Sequence, residues 1–227
     1  MTPDLAGTIV SVRAGRVRAH AAQPIAGRED RTWRTAFVKD AIDGPVRVGE
    51  LGIDGDEQAD HRHHGGPWRA VLMYAAAHYP RWRAELGLDA MGPGGFAENL
   101  TVDGLDEHTV CVGDTFAIGD VRLRVTQPRG PCASIARHWG RADMVKLVSD
   151  ALRFGWYLSV VTPGTVAAGM EVRLVDRMHP EFGVAQVFRL RAKPALDPAA
   201  VARLAELPEL TPDLRGKFAD HRARLGV

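Results

Sequence analysis

Short stretches in which apolar and polar residues alternate fill the first three quarters of the chain. Thr8–Val12 and Arg16–Arg18 alternate on either side of Ala14-Gly15, which predicts a hairpin. Thr35–Val38, Val46–Val48, Ala70–Tyr74, Glu98–Val102, Trp156–Val161 and Glu171–Val175 read as further strands. Thr115–Ile118 and Val121–Thr126 flank Gly119-Asp120, a two-residue turn with glycine first. Helical spacing appears over His78–Leu86, which ends at Gly87, and over two segments between Pro131 and Leu152. Many short strands interrupted by a few helices predict a mainly β fold, a closed or nearly closed barrel. No βαβαβ alternation is present, so a Rossmann domain is not expected.

The pattern changes near Pro180. Val184–Leu190, the stretch from Pro198 behind Asp197, and the stretch from Thr211 onward carry apolar residues at helical spacing. The expected division is a barrel over residues 1–180 and a small α-helical unit over 181–227. That unit is too short to stand alone.

At 227 residues with 45% hydrophobic and 25% charged content, the chain is an ordinary globular protein. Two cysteines, Cys111 and Cys132, exclude a disulfide scaffold. The longest apolar run, Ala70–Ala77, falls far short of the roughly 20 residues a membrane helix needs. The N-terminus has no charged leader followed by an apolar core, so the expected location is cytoplasmic, with no membrane association. A net charge of +1 argues against nucleic acid as a partner.

Three segments carry chemistry. Cys132 lies in Gln127-Pro128-Arg129-Gly130-Pro131-Cys132, between a strand and a helix start. Free backbone N–H groups and Arg129 would favour a thiolate there, although a small packing cysteine fits the same place. Cys111 sits in an apolar strand and reads as structural. The second segment, Gly55 to Gly66, contains Asp56, Asp60, His61, Arg62, His63, His64 and Gly65. Its three histidines could bind a divalent metal, but their spacing matches no standard zinc pattern. A loop in which Arg62 and the Gly65-Gly66 amides hold a phosphate is the alternative. The third segment, Gly94 to Thr101, presents Glu98, Asn99 and Thr101 after a glycine-rich turn. These groups could read the edge of a heterocycle or simply satisfy the turn.

Taken with Val112-Gly113-Asp114-x-Phe116-x-Ile118-Gly119 and Gly155-Trp156-Tyr157-Leu158, the three segments resemble the MOSC domain, in its YiiM-like branch. The resemblance covers nearly the whole chain, the helical tail included. It departs at Pro67-Trp68-Arg69, where an Asp-Lys pair is expected after the glycines; Arg69 would replace the lysine's charge. The resemblance implies a distorted MOSC-type β-barrel with a pocket at one end, plus a small C-terminal α-helical unit. It implies a molybdenum–molybdopterin cofactor (Moco) with Cys132 as the metal's protein thiolate. Arg62, His64, Gly65, Arg69 and Arg129 are the expected cofactor contacts, with Glu98, Asn99 and Thr101 near pterin or substrate. The implied activity is reduction of N-hydroxylated compounds of the hydroxylaminopurine type. Electrons would come from a separate redox partner protein, since two cysteines cannot ligate an iron–sulfur cluster by thiolates. The rival reading is a non-catalytic carrier of sulfur, as a persulfide on Cys132, or of the cofactor.

Overall fold

The computed structural model describes residues 4–25, 32–62 and 64–227. In chain order its strands are β1 (Ala6–Ala14), β2 (Arg18–Ala21), β3 (Thr32–Thr35), β4 (Asp40–Ala41), β5 (Val46–Gly49), β6 (Gly52–Ile53), β7 (Val71–Ala75), β8 (Leu100–Asp103), β9 (Thr115–Ile118), β10 (Val121–Pro128), β11 (Trp156–Thr162), β12 (Gly164–Val166) and β13 (Glu171–Asp176). Its helices are α1 (His78–Leu86), α2 (Ala133–Trp139), α3 (Met144–Ala151), α4 (Val184–Ala192), α5 (Pro198–Leu204) and α6 (Pro212–Leu225).

Seven strands close into a barrel in the order β13-β9-β10-β11-β7-β8-β1, with β13 pairing back onto β1. Closure leaves this sheet without the exposed edges that invite aggregation. Every pairing in the ring is antiparallel except β7 with β8, which are parallel and joined by the α1 crossover. The interior is filled by the alternate inward residues of these strands, among them Ile9, Met73, Leu100, Phe116, Leu123 and Leu158. The expected barrel with helices is therefore what the chain forms.

Local signals place several elements as anticipated. Gly87 and Gly140 end α1 and α2 in the left-handed conformation, where glycine carries no Cβ penalty. Asp197 and Thr211 cap α5 and α6, accepting from Ala200 N at 2.9 Å and Leu214 N at 3.4 Å. The expected hairpin across Ala14-Gly15 does not form. β1 pairs with β8, β13 and β4 instead, and Gly15 donates its N–H to Asp56 Oδ1 at 2.8 Å. β2 pairs with β3, and the segment after Thr35 leaves the strand and buries Phe37 and Lys39.

α4 belongs to two cores at once. Val184, Ala185 and Phe188 pack into the barrel core, with Phe188 stacked on Phe154 at 4.1 Å between ring centroids. Val187 and Leu190 join α5 and α6 in a second cluster built on Val201, Leu204, Leu210, Leu214 and Phe218. Val184 and Ala185 also donate their backbone N–H groups to Val110 O and Glu107 O, both at 2.9 Å. The tail is thus part of the barrel's own packing. Phe188→Ala is expected to destabilise the whole chain by about 3–5 kcal/mol, read from a shift in the urea midpoint at unchanged slope. A loss confined to helical signal, with the barrel unaffected, would contradict this shared core.

Candidate functional site

The barrel mouth opens into a two-lobed cleft. One lobe, of about 310 Å³, lies between the mouth and the segment that follows β3. The other, of about 580 Å³, lies between the Cys132 loop and the helical tail. Cys132, His64, Arg69 and Tyr157 line both, so the thiol stands where the lobes meet.

Cys132 is half-buried and is the N-cap residue of α2. Burial on its own would raise its pKa. The hydrogen bond from His64, then the charges of Arg129 and His64, then a hydrogen bond from Ser134, outweigh this and bring it to about 6. His64 Nδ1 lies 3.2 Å from the Tyr157 hydroxyl, which leaves the ring's other nitrogen for the sulfur. Tyr157 is buried, and burial holds its pKa above the ordinary value even though Arg129 stands beside it and hydrogen-bonds it. It points out of the barrel because its neighbours Trp156 and Leu158 point in.

Arg129 is 2% exposed, and its Nε and Nη1 have no hydrogen-bond partner. Its backbone N–H is held by Gly155 O at 3.0 Å. The first lobe contains a second such donor, the buried indole N–H of Trp33. Buried donors without acceptors are costly and rare in proteins, so this lobe is built to receive an acceptor-rich group.

Below these groups lies a polar hub. Asp56 accepts from Gly15 N, from the Lys39 ammonium, from Gln58 Nε2 at 3.3 Å and from Asn99 Nδ2 at 2.9 Å. Burial pulls the Lys39 pKa down, against the pull of Asp56. Asn99 also accepts from Leu72 N at 3.0 Å and donates to Arg13 O at 3.2 Å. Its amide lines the lobe but its capacity is spent in holding β7, β1 and the Asp56 loop together.

The structure brings most of the expected site residues to this cleft. Gly65, Asn99 and Arg129 line the first lobe, Arg62 the second, and His64, Arg69 and Cys132 both. Glu98 and Thr101 are a correction. Both are fully buried and turned away from the cleft: Glu98 accepts from Tyr79, from Gly94 N at 2.7 Å, from Phe96 N at 3.2 Å and from Thr101 Oγ1 at 2.8 Å. They satisfy the glycine-rich turn. His61 is exposed and outside both lobes, and His63 lies outside the described residues. Among the described residues no three His, Cys, Asp or Glu side chains converge as a metal-ion site.

Sequence reasoning missed Trp33, Lys39 and Gln127, and the tail residues Arg191, Asp213 and Lys217. Arg69 Nη2 donates to Asp213 Oδ2 at 2.6 Å and to Gln127 Oε1 at 3.4 Å, and Gln127 also accepts from the Thr211 hydroxyl. The start of α6 is thereby fastened to the cleft. An acidic residue in the first turn of a helix that Thr211 caps and Pro212 opens is the local signal that could have marked Asp213.

The two thiols differ as their surroundings require. Burial raises Cys111 to about 11, reinforced by Asp114, and it sits 5% exposed. Alkylation of Cys132 by iodoacetamide should climb as pH rises through about 6 and level off above it, while Cys111 stays unlabelled. His64→Gln should move the Cys132 midpoint upward, so labelling at pH 6.5 slows several-fold. Peptide mapping over a pH series reads both sites, and an unchanged midpoint in the variant would contradict the role of His64.

Residues 60–173 match the MOSC domain family. The chain is 40% identical over 147 residues to protein YiiM of Escherichia coli K12, covering 63% of this chain and 65% of that protein. It is 34% identical over 205 residues to a protein named Reductase of Gibberella moniliformis, covering 89% of this chain but 35% of that longer protein. Among solved structures, YiiM from Geobacillus stearothermophilus superposes with a TM-score of 0.78 at 26% identity, covering 95% of this chain and 99% of that one. No helix among the described residues is long and apolar enough to cross a membrane. The thiol, its histidine and the buried arginine all fall inside the matched segment, and this chain belongs to the MOSC domain family.

Proposed function

We propose that this protein is a molybdenum-cofactor-dependent oxidoreductase that reduces N-hydroxylated compounds. Cys132 is its thiolate to the metal. The observation that carries the reading is the pairing of an accessible, acid-shifted thiol with a buried guanidinium that lacks acceptors for two of its nitrogens. MOSC domains as a family bind the molybdenum cofactor, and a relative carries the name Reductase.

The residues present fit that group. A thiolate is a soft donor suited to a metal whose other ligands come with the cofactor itself. Arg129 Nε and Nη1 and the Trp33 N–H supply the donors that an anionic, acceptor-rich pterin requires. Lys39 and Arg69 add charge to the same lobe.

When bound, the cofactor supplies two-electron redox chemistry at its metal. The chain's own residues prepare the site. Arg129 would offer its unpartnered Nε and Nη1 to the cofactor, and the hydrogen bond from His64 favours Cys132 as thiolate above pH about 6. Tyr157 fixes the imidazole through Nδ1, which leaves the other ring nitrogen to donate to the sulfur. Reduction of R–NHOH to R–NH2 breaks the N–O bond and releases water, at a cost of two electrons and two protons. Electrons would come from a separate redox protein, since two cysteines are too few to ligate an iron–sulfur cluster by thiolates.

Molybdenum and pterin content of protein from a host with intact cofactor synthesis tests the reading. Wild type should carry both. Cys132→Ser should lose reduction of hydroxylaminopurine, and Arg129→Gln should lose most of the pterin while its melting temperature matches that of wild type stripped of the cofactor. Wild type free of molybdenum, or a Cys132→Ser protein that reduces as fast as wild type, would overturn it. Persulfide sulfur on isolated Cys132, released by reductant, would mark a carrier instead.

A further inference from the structure

The second lobe carries charge that nothing in the first explains. Five cations, Arg62, Arg69, Arg137, Arg191 and Lys217, line it against two carboxylates, Asp60 and Asp213. Asp213 is already engaged by Arg69. Among the described residues, Arg191 and Lys217, both from the tail, have no carboxylate within reach of an ion pair and no side-chain hydrogen bond.

Arg191 is the more informative of the two. It is half-buried, its guanidinium lies 4.8 Å over the Phe188 ring, and burial holds its pKa below the ordinary value. A half-desolvated guanidinium with no counter-charge is an unfavourable arrangement unless an anion completes it. It also lies against the loop that carries the thiol: a Cβ on Gly130, two positions before Cys132, would stand 3.1 Å from Arg191 Nη1, so a side chain there would push the guanidinium back by a few tenths of an ångström.

Lys217 is brought to the same place by helix geometry. His221 Nε2 donates to Arg191 O at 3.2 Å, which sets α6 against the end of α4. Lys217 is one turn before His221 and so shares its face. Asp213 and Leu214, another turn back, line the same lobe. The α6 face therefore brings its lysine into the lobe that Arg191 and Cys132 also line.

We propose that Arg191 and Lys217 form a phosphate subsite for the substrate, so that the preferred substrates are phosphorylated N-hydroxyl compounds, nucleotides rather than free bases. This rests on the reductase reading above and names its substrate class. The first lobe, with the unpartnered donors of Arg129 and Trp33, takes the cofactor. The second takes the substrate, with its N–OH at Cys132 and its phosphate on the tail. Two separate cations suit a dianion with three acceptor oxygens, and a lobe of about 580 Å³ is within the range of small-molecule sites.

The test uses the full-length protein as purified, with Arg191→Gln, Lys217→Gln and the double variant. Adenosine 5′-monophosphate and adenosine are titrated calorimetrically, and molybdenum is counted in every preparation. Turnover is compared for 6-hydroxylaminopurine riboside and its 5′-monophosphate. Adenosine 5′-monophosphate should bind wild type about tenfold or more tighter than adenosine, from charge-assisted hydrogen bonds. The ratio of kcat/KM for the phosphorylated over the unphosphorylated compound should be similarly large. Both preferences should collapse toward unity in the double variant while molybdenum content stays at the wild-type level. Equal binding of the two adenosine compounds to wild type would overturn the proposal. So would loss of molybdenum from the double variant, which would assign these cations to the cofactor's own phosphate. Wild type that lacks molybdenum and reduces neither compound would sink the reductase reading, and the calorimetric comparison would still decide the phosphate subsite.

Discussion

The cleft depends on how the chain enters β11. Glu107, fully buried, accepts from Phe154 N and Gly155 N at 2.7 Å each and from His78 at 2.6 Å. One carboxylate thereby fixes a turn that no strand pairing holds. Gly155 has φ +77, and a Cβ on it would stand 2.4 Å from Met73 O, so only glycine lets β11 approach β7 at this point. From this turn the structure radiates outward. Gly155 O anchors the Arg129 backbone, Phe154 stacks on Phe188 of the tail, and Arg153 makes a two-armed pair with Glu85 of α1. Tyr157, two residues on, carries the hydroxyl that orients His64. Cys132 lies more than 20 residues before the turn, yet its arginine, its histidine's partner and its tail wall are all set there.

The architecture was readable because most of it is local. Alternation marks β9, β10, β11 and β13 within a residue or two, and glycines at 87 and 140 end their helices as the conformation demands. The misread hairpin at Ala14-Gly15 has a physical cause. Alternation says that a segment is a strand but not which strand it meets; β1 finds its partners near residues 100 and 172, and the Gly15 N–H goes to Asp56. At the site, Cys132, Arg129 and His64 stood out because glycine and proline crowd around them. Trp33, Lys39, Arg191 and Lys217 are lone residues in unremarkable stretches, and only tertiary structure brings them to the cleft. Glu98 shows the reverse error. A carboxylate after a glycine-rich turn looks the same whether it reads a ligand or accepts the turn's own N–H groups, and here it does the latter.

The choice of cation follows from the same burial that shapes the cleft. Lys39 and Arg129 are comparably buried in the first lobe, at 8% and 2% exposed. Lys39 has a carboxylate in contact and still has its pKa pulled down by burial. An ammonium without that partner would give up its proton far more readily, since desolvation penalises the charged form. A guanidinium spreads its charge over three nitrogens and keeps its proton in protein interiors. Among the described residues no carboxylate pairs with position 129 and two of its nitrogens have no acceptor, so arginine is the side chain suited to carry a positive charge there. The thiolate of Cys132 draws on that standing charge, as does any anion that enters. The net charge of the chain is only +1. Carboxylates offset the cleft's cations, and two of them, Asp56 and Asp213, stand in the cleft and are paired with Lys39 and Arg69, which leaves Arg129 as the buried cation beside the thiol.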